Sequence, residues 1–178
     1  MRRLNLVMSL LLDDIKKMTD EGREIPVRWS VMHMYSCAQL AKILALHRGI
    51  KPELAGMAAA LHDIAIIYTG KTENHAELSV KYVHDFINRL NSGSWSNIPK
   101  TGKEETDILV RAITGHSRKD KDSKEPLTEL LKDVDTLDRY LHGVKETRKD
   151  YIERFSKVLN ELGIEQLDIF KEDGVKYE

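Results

Sequence analysis

Apolar residues recur three and four positions apart along most of the chain, which is the spacing of amphipathic α-helices. Runs of alternating polar and apolar residues, which would indicate strands, are scarce. The pattern therefore predicts an all-α protein. Its first segment carries apolar residues at Leu4, Val7, Met8, Leu11, Leu12, Ile15 and Met18.

Proline, glycine and asparagine divide this pattern into segments. The segment 117–126 is rich in charged residues of both signs, and we predict it to be an exposed loop. The predicted later helices are one from Pro26 to about Gly49, one from Pro52 through His62 and Asp63 to a break at 68–70, three over about 74–90, 104–116 and 127–141, and one or two beyond 146.

The composition is that of an ordinary globular protein. With 178 residues, 41% of them hydrophobic, the chain is long enough for one self-sufficient domain, which we place at 1–178. Its net charge of −1 provides no basic field for nucleic acid, so we predict no nucleic-acid partner. We leave the oligomeric state open and include a homo-oligomer among the alternatives.

The N-terminus imitates a secretory signal, because Arg2 and Arg3 precede an apolar stretch. No small-residue cleavage site follows, however, and no apolar run approaches the roughly 18 residues of a membrane span. The single cysteine, Cys37, is typical of a reducing compartment. We therefore expect a cytoplasmic protein without a membrane segment.

Two His-Asp dipeptides have contrasting surroundings. His84-Asp85 lies in a mostly polar segment, which favours a solvated pair. His62-Asp63 lies between apolar runs, so both side chains are expected in the core. Burying a carboxylate beside an imidazole is costly unless a cation compensates both. A divalent metal such as Mn, Fe, Co, Ni or Zn is the simplest such cation.

Further ligands must then come from neighbouring helices, because adjacent helical residues point about 100° apart. Most single histidines are structural, and we assign His47 and His142 to that class. Cys37 is interpreted as a small buried hydrophobe, although it lies four residues from His33. The candidates for the additional ligands are His33, His75, His116 and Asp135.

Three segments together resemble the HD-domain metal-dependent phosphohydrolases. They are Arg-Trp-Ser-Val-Met-His at 28–33, Ala-Leu-His-Asp-Ile at 60–64 and Asp-Val-Asp-Thr-Leu-Asp at 133–138, and the resemblance spans about 25–142. It implies a compact helical bundle. The metal ligands that it implies are His33, His62, Asp63 and Asp135.

Two more segments, 74–79 and 113–117, resemble stretches of the members that bind two metals. By that resemblance His75 and His116 would take a second ion, with Asp63 bridging the two. One or two ions are therefore expected.

The chain also departs from the family pattern near the substrate. Ala65 and Ile66 stand where many members have Gly and Lys, and Thr136 stands where many have Arg. We consider three other cations as replacements for phosphate binding, namely Lys71, Arg118 and Arg139.

The resulting hypothesis is metal-dependent hydrolysis of a phosphoester or phosphoanhydride, with a nucleotide or related small molecule as substrate. Asp63 is the expected catalytic residue, ligating metal and orienting the attacking water. Two alternatives remain: an HD-type di-iron oxygenase, and a regulatory module that binds metal or nucleotide without turnover.

Overall fold

The computed structural model describes residues 1–165, and within that range helices are the only regular secondary structure, which confirms the predicted all-α class. None of the described helices is long and apolar enough to cross a membrane. The helices are α1 (Arg2–Ile15), α2 (Val27–His47), α3 (Pro52–Leu61), α4 (Ile64–Thr69), α5 (His75–Ser92), α6 (Lys103–Gly115), α7 (Pro126–Leu141) and α8 (Lys149–Glu161).

Helix α2 packs mainly against α3 and α7, which also contact each other. Helix α1 packs on α3, α5 on α6, and α8 on α7. Their apolar faces meet in a core whose most deeply buried side chains include Leu11, Leu44, Met57, Leu109 and Leu130. Each such side chain contributes about 1.5–3 kcal/mol through removal from water.

The proline signals predict helix starts well. Pro52 and Pro126 each occupy the first position of a helix, where the missing N–H is not needed, and Pro26 immediately precedes α2. Helix α1 ends at Ile15, one turn before the last residue of its predicted apolar pattern. Any second helix beyond α8 would fall on 166–178, outside the described residues.

The predicted helix from Pro52 to about residue 68 is wrong in one respect, because it is broken at the His-Asp pair. Helix α3 ends at Leu61 and α4 begins at Ile64, with Asp63 at φ −103° and ψ 24°. The polar groups exposed by the break find partners: the His62 ring lies 2.7 Å from the carbonyl oxygen of Ala59, and Ser79 Oγ accepts from the N–H of Ala65.

The predicted exposed loop 117–126 is only partly exposed. Lys119 is buried, and the carbonyl oxygen of Lys121 accepts a hydrogen bond from the buried ammonium group of Lys132. Arg154 of α8 also donates, to the carbonyl oxygen of Lys119. Charged side chains of α7 and α8 thus anchor this loop through its backbone carbonyls, which a count of charged residues alone does not reveal.

Candidate metal centre

Four imidazoles and two carboxylates from five parts of the fold lie together, and all of them except the buried His62 line one cleft of about 250 Å³. We call this group the His/Asp cluster. Its members are His33 on α2, His62 and Asp63 at the α3–α4 break, His75 at the start of α5, His116 just after α6, and Asp135 on α7.

Half of the His/Asp cluster surrounds His33. Its Nε2 atom lies 3.1 Å from Nε2 of His62, 3.3 Å from Oδ1 of Asp135 and 3.7 Å from Oδ2 of Asp63. Nε2 of His62 lies 3.4 Å from the same Oδ2. The structure thus brings together the four residues of the first predicted ligand set.

The other half surrounds the second oxygen of Asp63. Its Oδ1 atom lies 3.5 Å from Nε2 of His75 and 3.6 Å from Nε2 of His116. Those two nitrogens are 3.3 Å apart. Ser117, which the sequence did not single out as a ligand, places Oγ 3.2 Å from Nε2 of His75. Asp63 therefore presents one oxygen to each pair of histidines.

Three of the imidazoles are oriented in the same way, by the carbonyl oxygen three residues earlier. Nδ1 lies 2.7 Å from Ala59 O in His62, 2.8 Å from Thr72 O in His75 and 2.5 Å from Ile113 O in His116. A carbonyl oxygen only accepts, so Nδ1 carries the proton in each ring. In the neutral ring, Nε2 then presents its lone pair to the cluster, as a metal ligand requires.

His33 is oriented differently, by a carboxylate. Its Nδ1 donates to Oδ2 of Asp138 at 2.5 Å, and Trp29 stacks on the ring with centroids 5.8 Å apart. Asp138 is fully buried, and its Oδ1 has no hydrogen-bond partner within the described chain. A carboxylate behind a ligating histidine fixes the ring and raises its basicity.

The pKa values of the neighbouring His33 and His62 are shifted in opposite directions. Burial lowers the pKa of His62 to about 4, so this ring is neutral at physiological pH. Burial also lowers the pKa of His33, but its hydrogen bonds to Asp135 and Asp138 outweigh burial and raise the pKa well above its usual value. Because burial raises the pKa of the Cys37 thiol to about 12, the thiol is neutral and the carboxylates supply the attraction.

The carboxylates of the cluster stay ionised. Burial raises the pKa of Asp63, yet the imidazoles of His62 and His116 outweigh it and hold that pKa below its usual value. The cluster thus combines buried negative charge with convergent nitrogen lone pairs, and the protein supplies part of the compensation by a proton on His33. A divalent metal would replace that proton, as expected for a site where ligands must be deprotonated. The donor set fits a transition metal.

A sequence profile of the HD domain matches residues 31–142, which is more than half of the chain. Every residue of the His/Asp cluster lies inside that segment. The chain belongs to the HD-domain family. This confirms the family suggested by the three sequence segments.

The fold of this HD domain is also found in a solved structure. The crystal structure of a predicted HD superfamily hydrolase from an uncultured Thermotogales bacterium matches with a TM-score of 0.56 and 20% identity, over 89% of this chain and 88% of that one. At this identity the similarity supports the fold alone. No curated protein matches the chain.

The three cations predicted to bind phosphate in this HD domain lie in different places. Arg139 lines the cleft together with the cluster. Lys71 does not line it; its Nζ is 3.5 Å from Oε1 of Glu24 at the surface. Arg118 lines a separate open groove on the outside of α6 and α7. Of the three predicted cations, the structure therefore brings only Arg139 to the site.

Sequence reasoning missed several residues that surround the HD-domain cluster. Lys119 contacts Asp135, Asp138 contacts His33, and Arg148 and Tyr151 line the cleft. The signal for Asp138 was present in the sequence, since it lies one turn after Asp135 on the same helical face. No local pattern marked Lys119, because it acts through Asp135, which is distant in the sequence. Arg148 has nearby partners in Glu146 and Tyr151, but its place at the cleft depends on the packing of α8 on α7.

The histidines that we assigned to structural roles differ in position. His47 is half-exposed and lies 3.6 Å from Glu161. His142 lies at the edge of the site, where its Nδ1 is 3.0 Å from the carbonyl oxygen of Asp138 and its ring meets Trp29 edge-on. His84 is exposed, in keeping with its polar surroundings.

Proposed function

We propose that this HD domain is a metal-dependent hydrolase of phosphate esters or anhydrides that acts on a nucleotide or a related small organic phosphate. The observation that carries the proposal is the position of Asp63, which offers one oxygen to each of two histidine pairs within an open cleft. Arg139 on the same cleft provides a cation for the phosphate.

Two metal positions are proposed. His33, His62, Asp63 and Asp135 would hold the first ion, and His75, His116 and the other oxygen of Asp63 would hold a second. A divalent metal supplies a Lewis acid for phosphoryl oxygens and a water of lowered pKa near neutral pH. The MnII, FeII, CoII, NiII and ZnII ions all suit imidazole and carboxylate ligands.

The protein's own groups then orient the reactants. Asp63 has the more exposed of the two cluster carboxylates, with 23% of its side chain accessible against 12% for Asp135. We therefore assign to Asp63 the orientation of the attacking water toward phosphorus. Asp135 is covered by Lys119 and serves as a ligand only.

Arg139 is assigned to the reacting phosphate. It lies one turn beyond Asp135 on α7, and the atom Nε is buried without a hydrogen-bond partner in the described chain. Its charged neighbour is Glu146, at 3.9 Å. Nε itself is covered by protein, whereas 31% of the Arg139 side chain is accessible. We assign a phosphoryl oxygen as the acceptor for this guanidinium group, because phosphate matches its planar geometry.

The test is turnover by purified protein of known metal content. Phosphate release is measured across nucleoside mono-, di- and triphosphates and p-nitrophenyl phosphate, with oxygen uptake followed in parallel. We expect phosphate release that depends on metal and disappears in His62→Ala. Oxygen uptake by an iron-loaded protein without phosphate release would instead support the di-iron oxygenase, and bound metal with neither reaction would support a regulatory module.

A further inference from the structure

One side of the cleft is built by residues beyond the segment matched by the HD-domain profile. That segment ends at residue 142, whereas Arg148 precedes α8 and Tyr151 lies in its first turn. Both line the cleft with the His/Asp cluster. The His/Asp cluster thus lies inside the matched segment, while this cationic side of the cleft lies beyond its end.

Two contacts hold the guanidinium group of Arg148 in place. Glu146 accepts from it twice, with Nε–Oε1 at 2.8 Å and Nη2–Oε2 at 2.5 Å. The Tyr151 ring lies flat beneath it, with Cζ 3.4 Å from the ring centroid. An arginine whose rotamer is already fixed loses little conformational entropy when it binds an anion. The contacts therefore prepare Arg148 for a ligand.

These contacts leave one edge of the guanidinium group for another acceptor. Glu146 occupies the Nε and Nη2 edge, so the Nη1 edge points away from it. Half of the Arg148 side chain is accessible to solvent. Phosphate and carboxylate groups match that planar edge with two parallel hydrogen bonds.

Arg148 is also separate from the predicted reaction centre. Within the described residues, no hydrogen bond or ion pair joins it to a member of the His/Asp cluster. Arg139, by contrast, lies one turn from the ligand Asp135. Arg139 and Arg148 are neighbours on one wall of the cleft, with Cζ 6.0 and 3.4 Å from the centroid of the Tyr151 ring. Because Arg139 is assigned to the reacting phosphate, Arg148 is available for a second group of the same molecule. The cleft of about 250 Å³ has room for a small organic phosphate.

We propose that Arg148 binds a second anionic group of the substrate, a phosphate or a carboxylate, so that the preferred substrates are small organic phosphates with two separate negative groups. This inference rests on the proposed phosphohydrolase function. By this proposal, the segment that links α7 to α8 determines which phosphate esters the protein prefers as substrates.

The experiment uses ligands whose C–P bonds are not hydrolysed. Manganese-loaded full-length protein is titrated by calorimetry with ethane-, propane- and butane-bisphosphonate, and with the monophosphonates of the same chain lengths. At one length or more, we expect the bisphosphonate to bind about tenfold more tightly than its monophosphonate, which is the contribution of one hydrogen bond between charged groups. An equal affinity at every length would overturn the proposal.

Variants then assign the preference to Arg148. Arg148→Gln is expected to bring the two ligand types to within about twofold of each other while monophosphonate binding stays unchanged, and Arg148→Lys to retain part of the preference. Arg118→Gln, an exposed arginine outside the cleft, is the matched control. A preference that survives Arg148→Gln, or an equal loss for both ligand types, would contradict the assignment.

Two further measurements identify the second anionic group and separate the role of Arg148 from the hydrolase function. Carboxyalkyl phosphonates in the same titration distinguish a phosphate from a carboxylate as the second group. Phosphate release from the ester panel is scored independently, so its absence would overturn the hydrolase function while the phosphonate titrations still decide the role of Arg148. Melting curves of each variant confirm that the fold is intact.

Discussion

The ammonium group of Lys119 lies 2.5 Å from Oδ2 of Asp135, and its side chain is completely buried. It also donates to the carbonyl oxygen of His116 at 2.8 Å. Burial raises the pKa of Asp135, but Lys119, followed by His33 and His62, outweighs it and keeps that pKa well below its usual value. Lys119 thus holds one oxygen of Asp135 and leaves Oδ1 facing His33.

Replacing Lys119 by Met should destabilise the protein strongly. The substitution leaves the Asp135 carboxylate buried without its cation, and breaking a buried ion pair in this way costs about 3–5 kcal/mol. Urea unfolding in the presence of chelator measures the loss without a contribution from metal. Lys124→Met, on an exposed lysine of the same loop, is the control and should change stability by less than about 0.5 kcal/mol. Equal effects of the two substitutions would refute a contribution of the Lys119–Asp135 ion pair to stability.

Asp138 should govern metal affinity without being a ligand. Removing the carboxylate that orients the His33 ring is expected to weaken metal binding by about 10–100-fold, the usual effect of losing such a partner. Asp138→Ala is compared with Asp138→Asn, whose amide oxygen still accepts from Nδ1 and should preserve part of the affinity. Competition with a fluorescent chelator gives the constants. The exposed Asp120→Asn serves as the control, and a matching loss there would contradict this role.

The sequence predicts this fold and site where the controlling interactions are local. Helical spacing and the prolines at positions 52 and 126 define the helices because they act within a turn or two. The apolar flanks of His62 and Asp63 indicate a buried polar pair for the same reason. The family resemblance adds His33, His75, His116 and Asp135, which the structure brings together although up to 102 positions separate His33 from Asp135.

Features that depend on distant partners escaped prediction. The break at His62 relies on Ser79 of another helix, and burial of Lys119 relies on Asp135 and Arg154. A charged loop looks the same in sequence whether its lysines face water or a buried carboxylate. Arg148 contacts Glu146 and Tyr151 close by in the sequence, but its place at the cleft depends on the packing of α8 on α7.

The two His-Asp pairs should behave oppositely. His62→Ala or Asp63→Ala is expected to abolish metal binding, because each removes a group from the centre of the cluster. His84→Ala and Asp85→Ala should leave it intact, since both residues are exposed and Asp85 pairs with Lys81. Mass spectrometry of metal in purified variants makes the comparison. Equal metal loss from both pairs would refute the proposed site.

Metal removal should lower thermal stability. An ion that binds only the folded state stabilises it by mass action, by about 2.7 kcal/mol at a concentration 100 times the dissociation constant. In a protein of this size that corresponds to a Tm decrease of about 5–10 °C on chelation. His62→Ala provides the control, because its melting curve should not respond to chelator. An unchanged curve for the wild type, with metal removal verified, would contradict a metal site in the core.

The number of ions is the prediction on which the mechanism depends most. Asp63 places its two oxygens toward different histidine pairs, so His75→Ala or His116→Ala should remove the second ion and leave about one per chain with weakened activity. The first pair, His33 and His62, does not rely on either residue for its orientation, since their Nδ1 atoms bond to Asp138 and Ala59. Anomalous diffraction at the metal edge counts the ions directly. Two peaks on either side of Asp63 are expected for the loaded wild type, and one peak beside His33 for each variant. A single peak in fully loaded wild-type crystals, with His75 and His116 turned away from it, would remove the two-metal mechanism and with it most of the case for an oxygenase.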